Sequence, residues 1–350
     1  MVANRLAEME LTKQVAVNNV RVLDAAVTPQ VPIRPKVRLN YLVGTLLALL
    51  VGLAVAFSID LLDNTVKSRE QVENVLGVPY LGAIPTFDLT DHAEGGSLLG
   101  ERIDLYAHFR PNSRVAEASR TLRTNILFMR PDKPFRTLAV TSAHPREGKT
   151  ATAATLATTL ASASGSCVLV DTDLRKPRLH KVFGVAGDRG VTNYILSRQP
   201  LEDFVRKTEV PGLDLLTCGP LPPNSSEIIH TERFRELVAE LQEKYETVIF
   251  DSPPVEIVSD ALVLATLVDG VILVGHAGVS KLEPMRSAVR SLLGVSANLL
   301  GVVLSRTATS GSGYGYYYGK GYRRGGRPYR YRYAARADDK DTPRMKQEAS

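Results

Sequence analysis

The stretch that decides the fold is TLAVTSAHPREGKTATAATLATTLASA, residues 137–163. It begins with a short apolar strand candidate and ends in a run of small residues that predicts a helix. Between them, Gly148, Lys149 and Thr150 complete the end of a phosphate-binding loop, in which inward-facing N–H groups, a lysine and a hydroxyl surround phosphate and magnesium. Ala143 stands where the strict motif has its first glycine, so this stretch alone leaves the assignment open.

Carboxylates close two other strand candidates. CVLVD ends on Asp171 and is followed two residues later by Asp173, and TVIFD ends on Asp251. Open α/β sheets bind their ligands at the carboxyl ends of the strands, and an acid there can support magnesium. A single Asp in such a place is usually a loop cap. Three of them together with Gly-Lys-Thr indicate a Mg²⁺–nucleotide site.

The strand pattern predicts an α/β fold. Short apolar stretches alternate with amphipathic helical segments, which is typical of a parallel sheet with helices on both faces. Combined with the Gly-Lys-Thr loop, the pattern makes the expected fold P-loop NTPase-like. The strand candidates span residues 137–142, 167–171, 213–218, 247–251, 270–275 and 299–305.

A predicted transmembrane helix precedes this fold. Residues 39–59 carry no charge over 21 positions, and a helix of that length crosses a hydrocarbon core of roughly 30 Å. The run starts too late for a signal peptide and lacks its small-residue cleavage site. Arg34, Lys36 and Arg38 slightly outnumber the basic residues beyond the other end, which weakly favours a cytoplasmic N-terminus. ATP is cytoplasmic, however, so we expect residues 60–350 to be cytoplasmic.

The net charge of +6 lies in the C-terminal tail, residues 310–350, and the rest of the chain is neutral. We therefore expect no nucleic-acid partner, despite a pI of about 9.2. Cys167 and Cys218 fall in apolar stretches, which is typical of reduced thiols. Residues 311–333 are almost all Gly, Tyr and Arg, a composition that predicts disorder. The tail holds eight of the chain's 13 tyrosines: Tyr314, Tyr316, Tyr317, Tyr318, Tyr322, Tyr329, Tyr331 and Tyr333.

Several motifs, taken in order, resemble the bacterial tyrosine kinases, or BY-kinases. They are PREGKT, LVDTDLRKPRLH, GPLPPNSSEII and VIFDSPP, within about residues 111–308, and the tyrosine-rich tail is similar to the family's autophosphorylation cluster. Upstream, PQVPIRPKVRLN, the apolar span and DNTVKSREQVENVLGVPYLGAIP resemble the end of a polysaccharide co-polymerase (chain-length determinant) module, commonly fused to the kinase in diderm bacteria. Because a complete module would have a first span and a large periplasmic domain, we expect a fragment, a misplaced start or a shortened form.

The chain is thus expected to have five parts. They are a remnant of the periplasmic co-polymerase module (1–38), a transmembrane helix (39–62), a juxtamembrane tether (63–110), the P-loop tyrosine kinase domain (111–309) and the disordered tail (310–350).

The resemblance implies an inner-membrane autokinase that moves the γ-phosphoryl of Mg-ATP to tail tyrosines and regulates exopolysaccharide or capsule polymerisation and export. Lys149, Asp171 and Asp173 would be catalytic, and Thr150, Asp173 and Asp251 would hold Mg²⁺. The resemblance favours Asp171 as the base that accepts the phenol proton, although spacing does not decide between it and Asp173. The nucleotide would be lined by Pro145, Arg146, Glu147, Gly148, Lys149, Thr150 and Ala151.

Glu117, Arg120 and Arg123 share one helical face because they are three residues apart. Charge pattern alone would make this a solvated, self-paired face. By resemblance, the ExxRxxR helix packs subunits into a ring whose members phosphorylate one another. The implied partners are other copies of the chain, a cognate tyrosine phosphatase, the polysaccharide machinery and the membrane.

Two positions depart from the family pattern. Arg146 replaces a usually small residue, and Ser305 replaces an Asn that often lies near the adenine. One alternative is a ParA/MinD-like ATPase with a membrane- or DNA-binding basic tail, but the loop lacks the extra lysine usual before Lys149 in that group. Another is a structural chain-length regulator with a vestigial site, against which the intact Lys149, Thr150 and strand-end carboxylates argue.

Overall fold

The computed structural model describes residue 5 and residues 8–10, 34–86, 103–222 and 224–307. The chain divides into two units, residues 1–64 and residues 65–350. In the first unit, helix α1 (Val37–Leu62) is exposed along its length. Its segment Val37–Ile59 is long and apolar enough to cross a membrane, which agrees with the predicted span. The co-polymerase remnant (1–38) lies almost entirely outside the described residues.

In the described part of the second unit, the strands form one sheet in the order β1-β8-β7-β2-β6-β3-β5-β4. Every pairing is parallel except that of β4 with β5, so the predicted parallel α/β sheet is confirmed. The strands are β1 (Tyr80–Pro85), β2 (Thr137–Ser142), β3 (Cys167–Asp171), β4 (Arg206–Lys207), β5 (Leu213–Leu216), β6 (Thr247–Asp251), β7 (Gly270–His276) and β8 (Leu299–Thr307).

Helices cover both faces of this sheet. Along the central strands, neighbouring residues face opposite ways, so Ala139 and Phe250 lie in one apolar cluster and Leu138 and Ile249 in the other. Both faces are therefore buried, as the apolar strands predict. The helices are α2 (Tyr106–Phe109), α3 (Arg114–Met129), α4 (Lys149–Ser164), α5 (Leu179–Val182), α6 (Val191–Leu196), α7 (Ser225–Ile229), α8 (Glu232–Lys244), α9 (Asp260–Ala265) and α10 (Leu282–Gly294).

The prediction of a tether over residues 63–110 is wrong for the described residues from Thr65 onward. Val66 and Val72 are fully buried in the core, and a wide helical turn spans Gln71–Leu76. Strand β1 then pairs in parallel with β8 and extends the sheet. The second unit thus begins 46 residues before the predicted boundary at residue 111. Residues 87–102 lie outside the described part.

The sequence signal of β1 is weak for a physical reason. The strand lies at the edge of the sheet, and Tyr80, Gly82 and Ala83 are only half-buried, so its residues do not form a continuous apolar run. It also contains a glycine and ends in Pro85, which weaken a strand prediction. Strand β4 was missed because it is only two residues long.

Candidate active site

The phosphate-binding loop connects β2 to α4 at the carboxyl edge of the sheet. His144, Pro145 and Arg146 are exposed, whereas Glu147, Lys149 and Thr150 are buried. Two backbone φ angles are positive here, 67° at Arg146 and 95° at Gly148. Gly148 adopts this conformation readily, but a side chain at Arg146 makes it strained. Arg146 thus adopts a backbone conformation that glycine would adopt more readily.

Lys149 lies among the strand-end carboxylates. Its Nζ is 2.8 Å from Asp173 Oδ2 and 3.6 Å from Asp251 Oδ1. Burial disfavours the charged lysine, but the neighbouring Asp251 and Asp173 outweigh burial and raise the pKa of Lys149. Burial also opposes ionisation of Asp173, yet Lys149 and backbone N–H groups hold the pKa of that carboxyl below its ordinary value.

Asp171 lies deeper and is fully buried. Its Oδ2 accepts hydrogen bonds from the backbone N–H groups of Arg178 and Leu179, at 3.1 Å and 3.0 Å, so it shapes the loop that carries Asp173. Burial and the nearby Asp251 carboxylate raise the pKa of Asp171 to about 8. The two predicted catalytic carboxylates thus differ in their tendency to ionise. Asp173 remains ionised at neutral pH, whereas Asp171 holds a proton more readily.

Thr150 and Asp251 meet where a cation would be needed. Thr150 Oγ1 donates a hydrogen bond of 2.7 Å to Asp251 Oδ2, while the buried Asp251 Oδ1 accepts no hydrogen bond. Burial raises the pKa of Asp251, although Lys149 and Thr150 partly offset this effect. A single lysine faces three carboxylates, so the site fits an additional positive charge.

These oxygen donors suit Mg²⁺ rather than a softer metal. Mg²⁺ is usually held by one or two carboxylates, with phosphate oxygens and water completing its shell. Among the described residues, no group of three or more His, Cys, Asp or Glu side chains is arranged to hold a metal ion. A divalent ion bound at Thr150 and Asp251 would therefore take its other ligands from the nucleotide and from water.

Ser305, near the end of β8, contacts the phosphate-binding loop. Its Oγ donates a hydrogen bond of 2.6 Å to the main-chain carbonyl of Glu147, within the phosphate-binding loop. Burial raises the pKa of the Glu147 carboxyl, although hydrogen bonds from the His144 backbone and from Ser280 favour its ionised form. Sequence reasoning included Glu147 in the loop but missed Ser280, since its position 133 residues later in the chain carries no local signal.

The predicted assembly motif lies on α3. Glu117 is exposed and Arg120 is half-buried. The two pair with each other at 3.5 Å, and Arg120 also donates hydrogen bonds to the carbonyl of Pro111. Arg123 is half-buried, and its Nη1 donates a long hydrogen bond of 3.4 Å to the Thr159 carbonyl. The face is thus solvated and partly self-paired within one chain.

The structure brings Lys149, Thr150, Asp171, Asp173 and Asp251 together, and Glu117, Arg120 and Arg123 lie on a separate helix. The predicted phosphoacceptor tyrosines, Tyr314 to Tyr333, lie outside the described residues. Cys167 and Cys218 are buried free thiols, as expected, and burial raises the pKa of each to about 12.

Comparison with known proteins finds tyrosine kinases. Residues 1–59 match the family described as "G-rich domain on putative tyrosine kinase". The tyrosine-protein kinase etk of Escherichia coli K12 is 30% identical over 312 residues, which cover 86% of this chain and 43% of that protein. The chain therefore spans less than half the length of this relative.

Shorter relatives match over nearly their whole length. The tyrosine-protein kinase YwqD of Bacillus subtilis is 37% identical over 215 residues, covering 61% of this chain and 91% of that protein. The solved kinase domain of Escherichia coli ETK superposes with a TM-score of 0.65 at 28% identity, covering 74% of this chain and 99% of that structure. The fold is thus the P-loop NTPase-like fold of these kinase domains.

Proposed function

The chain belongs to the bacterial tyrosine kinases, and we propose that it is an ATP-dependent protein-tyrosine autokinase. It transfers the γ-phosphoryl of Mg-ATP to tyrosines of its own C-terminal tail, and thereby regulates exopolysaccharide or capsule polymerisation and export. The observation that supports this most is the cluster of Lys149 and Thr150 with Asp173 and Asp251, which the loop and two strand ends bring within hydrogen-bond distance.

Each residue of the cluster has a role in phosphoryl transfer, where most of the catalysis is positioning and charge stabilisation. Lys149 would exchange its contact with Asp173 for the β/γ-phosphate oxygens. Thr150, Asp173 and Asp251 would hold Mg²⁺, which screens the developing charge when it is bound. The phosphate would lie along Pro145, Arg146, Glu147, Gly148 and Ala151, whose backbone forms the loop and the first turn of α4.

The two remaining carboxylate roles follow from their surroundings. A tyrosine phenol has a pKa of about 10, so a base with a raised pKa suits its proton better than an ordinary carboxylate. Asp171, with its pKa of about 8, fits this role. Asp173, which stays ionised beside Lys149, suits the cation.

The location follows from the same reaction. We propose a single pass through the inner membrane by α1, with the kinase on the cytoplasmic side where ATP is available. A cognate tyrosine phosphatase would remove the phosphates, and the polysaccharide machinery would be the regulated partner.

The activity is tested with the full-length chain in detergent micelles. Incubation with Mg-ATP should add about 80 Da per phosphate to the intact mass and give an anti-phosphotyrosine signal, whereas ATP with excess EDTA should give neither. ATP hydrolysis without any phosphotyrosine would contradict the kinase and favour the ParA/MinD-like alternative.

We further propose that copies of the chain assemble into a ring through α3. Arg120→Ala combined with Arg123→Ala should shift the protein toward monomer and slow autophosphorylation several-fold, because tails would no longer reach a neighbour's site. Light scattering measures the mass, and anti-phosphotyrosine time courses measure the rate.

The matched control is Arg235→Ala with Arg286→Ala, which removes two helix arginines that pair with acids three residues away, as Arg120 does. This control variant should keep the oligomer mass and the autophosphorylation rate of the unchanged protein. Melting curves are needed for both variants, because Arg123 also contacts α4. An unchanged mass in the α3 variant would remove this helix from the interface.

A further inference from the structure

Glu147 lies in the most constrained part of the phosphate-binding loop. It stands between Arg146 and Gly148, both of which have positive φ angles, and only 5% of its surface is exposed. An anionic side chain beside a phosphate site would oppose nucleotide binding if it faced that site. Its carboxylate therefore needs partners elsewhere.

The side chain of Glu147 has two such partners. The backbone N–H of His144 donates to Oε2 at 2.8 Å, and Ser280 Oγ donates to Oε1 at 2.5 Å. Ser280 is itself fixed, since its Oγ accepts from the His276 N–H at 2.7 Å and its carbonyl accepts from the Val66 N–H at 2.8 Å. The carboxylate is thus bound to the turn that follows β7.

The main chain of Glu147 is held separately. Ser305 Oγ, at the end of β8, donates to the Glu147 carbonyl at 2.6 Å. The same hydroxyl packs against Gly148, where an added Cβ would lie 2.8 Å from Ser305 Oγ. Ser305 therefore orients the Glu147 carbonyl, and its contact with Gly148 holds the loop close to β8.

We infer that Ser280 and Ser305 are positioning residues for the phosphate-binding loop. Their hydrogen bonds to the side chain and the carbonyl of Glu147 hold the loop in the shape that binds nucleotide. The inference rests on the proposed nucleotide site. A loop whose N–H groups must converge on phosphate gains affinity when its shape is set before binding. We call Glu147, Ser280 and Ser305 together the Glu147 clamp.

The segment before the kinase core contacts both serines of the clamp. Val66 donates to the Ser280 carbonyl, and Ile84 in β1 is the register partner of Ser305 in β8. Residues that the sequence assigned to a tether therefore pack directly behind the loop.

The test is calorimetric binding of ADP with Mg²⁺ to the full-length chain in detergent. Ser280→Ala and Ser305→Ala should each weaken ADP binding roughly tenfold, because each removes a buried hydrogen bond and leaves its acceptor unsatisfied. In steady-state assays the KM for ATP should rise more than kcat falls. Ser119→Ala, which removes a buried hydroxyl on α3 away from the loop, should leave ADP affinity unchanged.

A double-mutant cycle separates positioning from general destabilisation. Glu147→Gln and Ser280→Ala should be less than additive in ADP affinity, since both disrupt one contact. Glu147→Gln and Ser305→Ala should be nearly additive, since Ser305 binds the main chain. Ser280→Thr, which keeps the hydroxyl, should restore most of the affinity.

The results of these binding experiments distinguish a failure of the clamp from a failure of the proposed nucleotide site. If the unchanged protein fails to bind ADP, the proposed nucleotide site is wrong. If it binds ADP and either serine can be replaced by alanine without weakening that binding, the clamp is overturned. One folded alanine variant is enough for this decision, because each serine is required separately.

Discussion

Lys149→Met is expected to lower autophosphorylation at least a hundredfold, the size of effect seen when one preorganised charge-stabilising group is lost from an active site. Methionine has a similar length but carries no charge, so the β/γ-phosphate oxygens lose their protein cation in the transition state. The measurement is the initial rate of phosphotyrosine formation with saturating Mg-ATP.

The same substitution should also change stability, because Lys149 is the cation that faces Asp173 and Asp251 at 2.8 Å and 3.6 Å. Removing it leaves buried carboxylates in each other's field, which destabilises a folded protein unless they take up protons. We therefore expect a lower melting temperature, with a larger loss above the raised pKa of Asp171, about 8, and a smaller loss below it, where that carboxyl holds a proton.

Lys207→Met provides the matched control. Lys207 pairs with Asp214 at the same 2.8 Å, but its side chain is 88% exposed and lies on edge strand β4. This variant should keep full activity. Wild-type phosphotyrosine in Lys149→Met would exclude this loop as the kinase site.

Much of the site was predictable because its residues occupy the ends of strongly apolar strands. Asp171 and Asp251 close strands that are buried on both faces, and they are register partners in the sheet. Parallel strands bring their carboxyl ends to one edge, so the sequence order alone places these acids beside Gly148, Lys149 and Thr150. Motif spacing and sheet geometry thus point to the same place.

What the sequence could not predict depends on contacts between distant residues. Ser280 and Ser305 are 133 and 158 positions from Glu147, and nothing in their local sequence shows which loop they bind. Strand β1 was missed because an edge strand needs only a few buried residues. The different environments of Asp171 and Asp173 were also hidden, since burial depth and backbone donors belong to the folded chain.

Replacing all eight tail tyrosines with Phe is expected to remove nearly all phosphotyrosine from the protein. Of the four tyrosines elsewhere in the second unit, three are poor acceptors, and the fourth, Tyr80, is half-buried in β1. Tyr106 is buried, and the hydroxyls of Tyr194 and Tyr245 donate to Glu240 and Asp214 at 2.6 Å and 2.8 Å. Burial first, and these acids second, raise the pKa of Tyr194 to about 12 and that of Tyr245 still further.

The tail has the opposite character. Its Gly, Tyr and Arg composition predicts no packed core, so its hydroxyls should be accessible, and a tether to the membrane-bound subunits would keep them at a local concentration on the order of millimolar. Intact-mass analysis after incubation with Mg-ATP measures the number of phosphates. Tyr194→Phe, which removes a hydroxyl from the folded body, should leave that number unchanged.

Phosphorylation should also act on assembly through charge. Each phosphate adds about −1.5 to −2 charges at neutral pH, so three or four would cancel or reverse the charge of +6 on the tail. A phosphorylated tyrosine no longer suits a site that holds ATP, and a ring held by tails docked in neighbouring sites should loosen.

The eight-Phe variant keeps the arginines and the aromatic rings, so its oligomer should form but no longer respond to Mg-ATP in light scattering. If the arginines instead bound nucleic acid or lipid, that variant would bind as the unchanged protein does, and ATP would affect neither. If the variant gains phosphate to a similar extent as the unchanged protein, the tail is not the substrate.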